Sequence, residues 1–251
     1  MEGIRRINLL GCPFDAVSFN ETVQRIERAV LEDSYLQIVP GSIDFVIKAR
    51  KDAQFADLLW KSGLVIADGV PIVWAAKVLR DPIKGRVSGT DLVSECARIS
   101  SKHGSPVALI GGRFAIAHQA AKMMRGKYKG AKLFPIFTPF PLTITDNQQL
   151  VEKIRAIKAK IVLVALGAPK QERWVHNNLR VSGANVGIGV GSAFDIISGD
   201  KRRAPRFLRD YGFEWFHRMM LEPRRLWRRY LVEDVPFFYF LAVEALKRRL
   251  G

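Results

Sequence analysis

The stretch Gly63-Leu64-Val65-Ile66-Ala67-Asp68-Gly69-Val70-Pro71-Ile72-Val73-Trp74 reads as a short apolar strand, a tight turn and an apolar helix. One acid, Asp68, stands at the turn with apolar residues on both sides. In a parallel α/β sheet, ligands bind at the carboxyl ends of the strands. A carboxylate placed there can serve as a catalytic base. It can equally cap the helix opened by Pro71.

The same strand-then-helix pattern extends in both directions. Apolar runs predict strands at Ile7–Leu10, Leu36–Val39, Leu64–Ile66, Pro106–Ile110, Lys132–Ile136, Ile161–Leu166 and Val186–Val190. Helical periodicity lies between them. Asn20–Leu31 carries Val23, Ile26 and Val30 on one face, with Asn20 as its cap. Pro40-Gly41-Ser42 reads as a turn. Val70–Leu79 is apolar almost all round and is expected to be buried. This alternation from Ile7 to Gly199 predicts an α/β domain over residues 1–199 with a largely parallel sheet and flanking helices. After Gly199 the character changes. Eleven of the 25 aromatic residues lie between Phe207 and Phe240, interleaved with arginines. Residues 200–251 read as a helical C-terminal appendage.

The chain has 251 residues and is 48% hydrophobic, enough for a sizeable core. Its two cysteines, Cys12 and Cys96, suggest no disulfide framework and fit a reducing compartment. No metal-type spacing links them to His103, His118, His176 or His217, and no Asp-x-Asp pair is present. No run approaches the roughly 20 apolar residues needed to span a bilayer. The net charge of +16 calls for an anionic partner: nucleic acid, anionic lipid or a phosphorylated substrate. Lys201–Arg229 holds ten Lys or Arg against three acids, a net +7 in a short segment.

Three predicted strands end in small residues: Gly111-Gly112, Gly167-Ala168-Pro169 and Gly189-Val190-Gly191-Ser192. Small residues let a backbone approach a ligand, and the helix behind offers unpaired N–H groups to a phosphate. They are also ordinary turn chemistry. Three in one sheet point to a nucleotide crevice. Gln171 is placed to hydrogen-bond a sugar, whereas Glu172 reads as a partner of the helix dipole. Asp195 caps a turn or holds a ribose or base. Arg86 pairs with Asp91 or contacts a phosphate. In the appendage, Pro223 opens a helix. Leu226, Trp227, Tyr230 and Leu231 cluster on one face of it, and Arg224, Arg225, Arg228 and Arg229 on the other. That pattern suits a helix lying in a membrane interface. Two other readings of the residues stand beside an anionic-membrane enzyme: a basic nucleic-acid-binding module, and a nucleotide-sugar enzyme with a soluble acceptor.

The runs Ala49-Arg50-Lys51-Asp52, Ala67-Asp68-Gly69, Arg86-Val87-Ser88-Gly89-Thr90-Asp91, Gly167-Ala168-Pro169-Lys170-Gln171-Glu172, Gly189–Asp195 and Arg203-Ala204-Pro205 occur in this order. Together with Glu222–Tyr230 they resemble the WecG/TagA/CpsF glycosyltransferases (family 26), over about residues 5–235. The resemblance implies a Rossmann-like glycosyltransferase fold. It also implies an inverting, β-linkage-forming transfer of a hexose-type sugar, from a UDP-sugar to a saccharide on polyprenyl diphosphate. Such enzymes use no metal and no cofactor, bind no nucleic acid, and build cell-surface polymers at the cytoplasmic face of the membrane, with the appendage docked on that anionic surface. By motif, Asp68 matches the general base and Gln171 a donor-sugar contact. Asp195 and Gly111-Gly112 fall at the nucleotide crevice, and Arg218, Arg225 and Arg228 match arginines facing the diphosphates, with Arg86 a looser match. One departure stands out. The family usually carries Thr-x-Asn after the second strand, where this chain has Pro40-Gly41-Ser42, which leaves the donor sugar open among UDP-hexoses.

Overall fold

The computed structural model describes residues 3–139, 141–205, 207–208 and 211–250. Six strands form one wholly parallel sheet: β3 (Leu36–Gly41), β4 (Leu64–Ala67), β5 (Val107–Gly111), β6 (Leu133–Ile136), β7 (Ile161–Ala165) and β8 (Val186–Gly189). Their order across the sheet is β4-β3-β8-β7-β5-β6. The expected Rossmann-like α/β architecture is therefore present, with helices on both faces.

Alternation along the strands decides which helix covers which face. Ile38, Leu64, Ile66, Leu109, Leu163 and Ile188 point to one side. They pack with α1 (Phe19–Leu31), α5 (Gly89–His103) and α6 (Phe114–Lys127). On the other side, Val39, Val65 and Ala67 meet α2 (Ile43–Lys51), α3 (Ala53–Lys61) and α4 (Val70–Val78). Ala108, Ile110, Val162 and Val164 on that same side meet α7 (Ile144–Ala156) and α8 (Lys170–Ser182).

The predicted first strand is real but lies outside this sheet. β1 (Arg6–Leu9) turns through Leu10 and Gly11, both with positive φ, and pairs antiparallel with β2 (Cys12–Asp15). Two positive-φ residues make a tight hairpin turn of the primed type. The hairpin is fastened to the sheet by one buried carboxylate. Asp15 accepts two hydrogen bonds from Arg6, both at 2.8 Å, and a third from the Val65 N–H at 2.7 Å. Val65 belongs to β4, an edge strand, so Asp15 satisfies a backbone donor that the sheet leaves open.

Other expectations shift for identifiable reasons. Ser18, not Asn20, caps α1, because Ser18 and Glu21 form a reciprocal capping box. Pro40 and Gly41 continue β3 rather than ending it. Past Ile38, β3 pairs with β4 alone, and there the missing N–H of a proline is tolerated. Gly41 has no room for a side chain, since a Cβ would lie 2.9 Å from the Phe14 ring. α4 is not buried all round. Ile72, Ala75 and Ala76 face the core, while Trp74 and Val78 are half exposed.

The C-terminal part is helical, as expected: α10 (Glu214–Leu221), α11 (Pro223–Arg228), a π-helical turn over Arg229–Glu233, and α12 (Val235–Leu250). The expected apolar face of α11 splits. Leu226 is buried, whereas Trp227 is exposed within α11 itself; Leu231 is exposed too, and it lies in the wider π turn, where the 100° spacing no longer holds. α12 returns to the domain. Phe237 is fully buried in the cluster under the hairpin, and Phe240, Leu241 and Ala245 pack against it.

Replacing Asp15 by alanine removes the counter-charge of Arg6, which keeps only the carbonyls of Trp60, Ser62 and Gly63, and leaves the Val65 N–H without its acceptor. Chemical denaturation of Asp15→Ala should show a loss of about 3 kcal/mol; a change under about 0.5 kcal/mol would show that the hairpin is held by packing alone.

Candidate active site

The loop leaving β5 runs outward to β6, whereas the loop leaving β7 runs back toward β8. Connections that diverge in this way open a crevice at the carboxyl ends of the strands. Here it lies between β5 and β7, the strands that end in Gly111-Gly112 and precede Gly167. The pinch is tight. A Cβ on Gly111 would sit 2.7 Å from the Ala165 carbonyl, and both Gly111 and Gly112 have positive φ. Gly112 donates its N–H to that same carbonyl at 3.1 Å. On its other side Gly112 faces Phe194 of α9 (Ala193–Ile197), which brings Asp195 to the same end of the sheet. Asp195 is half buried, and among the described residues its carboxylate receives no hydrogen bond.

Gln171 lies in the first turn of α8 and is buried. Its side-chain oxygen accepts the N–H of Gly167 and the N–H of Gly191, each at 3.1 Å. Its amide nitrogen donates to Glu172 Oε1 at 2.7 Å. The carboxamide thus spans the ends of β7 and β8. The glycines of β8 exist for this contact: a Cβ on Gly189 would meet Glu172 Oε1 at 2.5 Å, and one on Gly187 would meet Val175 at 2.5 Å. The Gly-x-Gly-x-Gly run is therefore a seat for α8. Glu172 is only 1% exposed, and its Oε2 has no hydrogen-bond partner. Burial pushes its carboxyl up to about 7, against the opposing pull of the Gln171 amide, its own backbone N–H and Lys48.

Asp68 follows β4 directly. Its N–H bonds the Gly41 carbonyl at 2.8 Å, fixing the turn. The cap of α4 is Gly69, with no side-chain bond. The Asp68 carboxylate instead faces the first N–H of α5, on Gly89, at 3.4 Å. A helix N-terminus stabilises a carboxylate. Pro40 packs on the same glycine: a Cβ on Gly89 would lie 3.4 Å from Pro40 and 3.5 Å from Asp68 Oδ2. Asp68, Pro40 and Gly89 thus share one pocket wall, and Asp68 is half exposed there.

Two ion pairs tie the C-terminal segment to the domain beside this wall, and a third braces the segment internally. Arg86 contacts Glu214 at 2.9 Å, Arg203 contacts Asp91 at 2.5 Å, and Lys201 contacts Glu222 at 2.7 Å. Arg86 thus pairs with the appendage rather than with Asp91. Gly212, with positive φ, lets the chain cross α4 against Val70 and Trp74, where a Cβ would find neighbours at 3.1 Å. Arg228 is exposed and lies 3.5 Å from Glu233. Arg218 and Arg225 stand on α10 and α11, but their side chains lie outside the described residues. Among the described residues no group of three or more His, Cys, Asp or Glu could hold a metal ion.

The sequence reads Glu172 only as a partner of the helix dipole, not as a buried acid against β8, and gives Glu214 no role. For Glu172 a signal existed: glycines two apart on one strand face the same way and announce a close-packed neighbour. For Glu214 none did, because its partner is 128 residues away.

The fold places the switch point between β5 and β7, and Asp68 after β4, at the carboxyl ends of the parallel strands, the end at which such sheets bind ligands. The chain belongs to the Glycosyl transferase WecG/TagA/CpsF family, whose model matches residues 7–251. Similar proteins include the N-acetylglucosaminyldiphosphoundecaprenol N-acetyl-beta-D-mannosaminyltransferases of Staphylococcus aureus strains NCTC 8325 / PS 47 and MRSA252. Each is 24% identical over 245 residues, covering 97% of this chain and 94% of the relative.

The raised Glu172 carboxyl fixes a pH effect on stability. The folded protein keeps this proton from about pH 4.5 to about pH 7, where the unfolded chain has lost it. Stability from this group therefore falls as pH rises through that window. Unfolding of Glu172→Gln, compared with the parent from pH 5 to pH 8, should show a growing advantage of the variant, on the order of 3 kcal/mol at the upper end. A constant difference across the range would contradict it.

Proposed function

We propose that this protein is an inverting glycosyltransferase. It moves a hexose-type sugar from a UDP-sugar to a saccharide carried on polyprenyl diphosphate, forming a β-linkage, without a metal, in the synthesis of a cell-surface polysaccharide. The observation that carries the reading is the position of Asp68, together with the near full-length similarity to transferases named for a diphosphoundecaprenol-linked acceptor. Asp68 follows β4, an edge strand of the parallel sheet, leaves the capping of its own helix to Gly69, and presents a partly exposed carboxylate.

In the reaction, Asp68 takes the proton of the acceptor hydroxyl as that oxygen attacks the anomeric carbon. The bond from that carbon to the diphosphate breaks, and UDP leaves with its electron pair. Gly111, Gly112 and Asp195 hold the nucleotide. Gln171 shapes the donor side of the crevice. Negative charge grows on the leaving diphosphate, and Arg86, Arg218, Arg225 and Arg228 of the loop and appendage supply fixed cations for it. Arg228 then exchanges Glu233 for phosphate oxygens. Pro40 beside Asp68 offers an apolar wall where the family usually carries a hydroxyl, which suits a donor other than N-acetylmannosamine.

Residues 200–251 are in this reading a membrane-associating appendage to the catalytic domain of residues 1–199. No described helix is long and apolar enough to cross a membrane. Phe207, Phe213, Phe216, Met220, Trp227 and Leu231 are nonetheless exposed next to the arginines. Apolar and cationic side chains on one surface suit the anionic cytoplasmic face of a membrane. The net charge serves that surface and the two diphosphates, with no need of nucleic acid.

Two measurements bear on this. A screen of UDP-sugars against a lipid-diphosphate-linked monosaccharide should yield transfer that survives EDTA; no transfer from any UDP-sugar sinks the reading. Asp68→Asn should lower kcat by about 10³-fold while leaving UDP affinity within about threefold. Near-normal turnover in that variant removes Asp68 as the base.

A further inference from the structure

Glu172 has no role in the mechanism above, yet it is among the most buried charged side chains of the described chain. It lies against β8 only because Gly189 has no Cβ. Placing an acid there is costly unless it is used, since one oxygen finds no hydrogen-bond partner among the described residues.

Its contact explains the placement. A carboxamide has one accepting end and one donating end. Gln171 must present its oxygen to Gly167 and Gly191, because both offer N–H groups. Its NH₂ then points at Glu172 Oε1, which accepts that hydrogen bond. Reversing the carboxamide would aim NH₂ at two N–H donors and oxygen at a carboxylate.

We infer that Glu172 is a positioning residue for the donor crevice: it locks the Gln171 carboxamide in the orientation that ties the ends of β7 and β8 together. The inference rests on the reading of that crevice as the donor site. Glu172 acts through Gln171 and touches no substrate itself.

The lock responds to protonation. An ionised acceptor makes a shorter and stronger hydrogen bond than a neutral one. Burial holds the Glu172 carboxyl near neutrality, so the brace tightens as pH rises through about 7. The groups around it are few. α2 contributes Lys48, which bonds Asp44 at 2.6 Å and the Ala168 carbonyl at 3.2 Å, so the same loop is also held from below. β3 contributes Gln37, which donates to the Glu172 backbone carbonyl at 3.0 Å and meets His176 of α8 at 3.3 Å. Arg173 is taken by Asp52, the cap of α3. β8 brings only glycines.

Three variants test this. Glu172→Leu keeps the volume and removes the acceptor. Glu172→Gln keeps an acceptor that cannot ionise. His176→Gln controls for the imidazole. Amide hydrogen exchange at Gly167 and Gly191, followed by NMR, needs no substrate. It should speed up by about tenfold in Glu172→Leu and stay near the parent rate in Glu172→Gln. In turnover, Glu172→Leu should raise KM for the UDP-sugar by about tenfold with kcat within about threefold. The parent KM should fall as pH rises through about 7; this dependence should vanish in Glu172→Gln and persist in His176→Gln. Parent-like exchange at both glycines in Glu172→Leu overturns the inference, as does a pH dependence that survives in Glu172→Gln or disappears in His176→Gln. If Glu172→Leu does not fold, the other two variants decide. If no UDP-sugar is transferred by the parent, the donor-site reading fails, and the brace is judged on exchange alone.

Discussion

One oxygen atom, on the Gln171 side chain, receives the N–H groups of Gly167 and Gly191. Those two glycines follow the ends of the neighbouring strands β7 and β8. Without a shared acceptor, each loop would be free to set its own height above the sheet, and the crevice between β5 and β7 would have no fixed wall. Much of the local sequence is explained by that atom. α8 must approach β8 closely for Gln171 to reach both loops, so β8 carries Gly187 and Gly189 where other strands carry Val or Ile. The close approach buries Glu172, and the buried acid in turn keeps the carboxamide facing the right way.

The alternating pattern was readable because a sheet covered on both faces needs continuous apolar strands, and such strands stand out between helical periods. The hairpin was not readable. Its two strands are four residues each, and Ile7–Leu9 looks the same whether it pairs with Phe14 or joins the main sheet. What decides is the Asp15 carboxylate reaching Val65, a contact across 50 positions. Pro40 misled for a related reason. Proline normally ends a strand, but here it falls where one neighbouring strand has already stopped.

The candidate site divides in the same way. Asp68 stood out because an isolated acid between apolar runs has few structural uses. Its facing partner, the Gly89 N–H, did not, since helix starts from different segments meet only in three dimensions. The small residues at strand ends marked loops that the fold gathers at the carboxyl ends of β5, β7 and β8. They did not distinguish a glycine that admits a ligand from one that admits a helix. Gly111 leaves no space beside Ala165, and Gly189 leaves none beside Glu172. The basic C-terminal segment announced an anionic partner, but part of its charge is spent within the molecule, on Asp91 and Glu222 through Arg203 and Lys201.

α12 changes what kind of object the C-terminal segment is. Phe237 is sunk in the core, Arg50 lies 3.9 Å over the Phe240 ring, and Arg248 reaches the Leu79 carbonyl at 3.0 Å. At its other end the segment is tied by Arg203 and Arg86. A chain fastened at one end sweeps a large volume; one fastened at both ends behaves as a bowstring, with its amplitude set by the slack between the anchors. α10 and α11 are that span. Any force applied to the span from without is delivered to α2 and α4, and through them to β3 and to the edge strand β4, after which Asp68 stands.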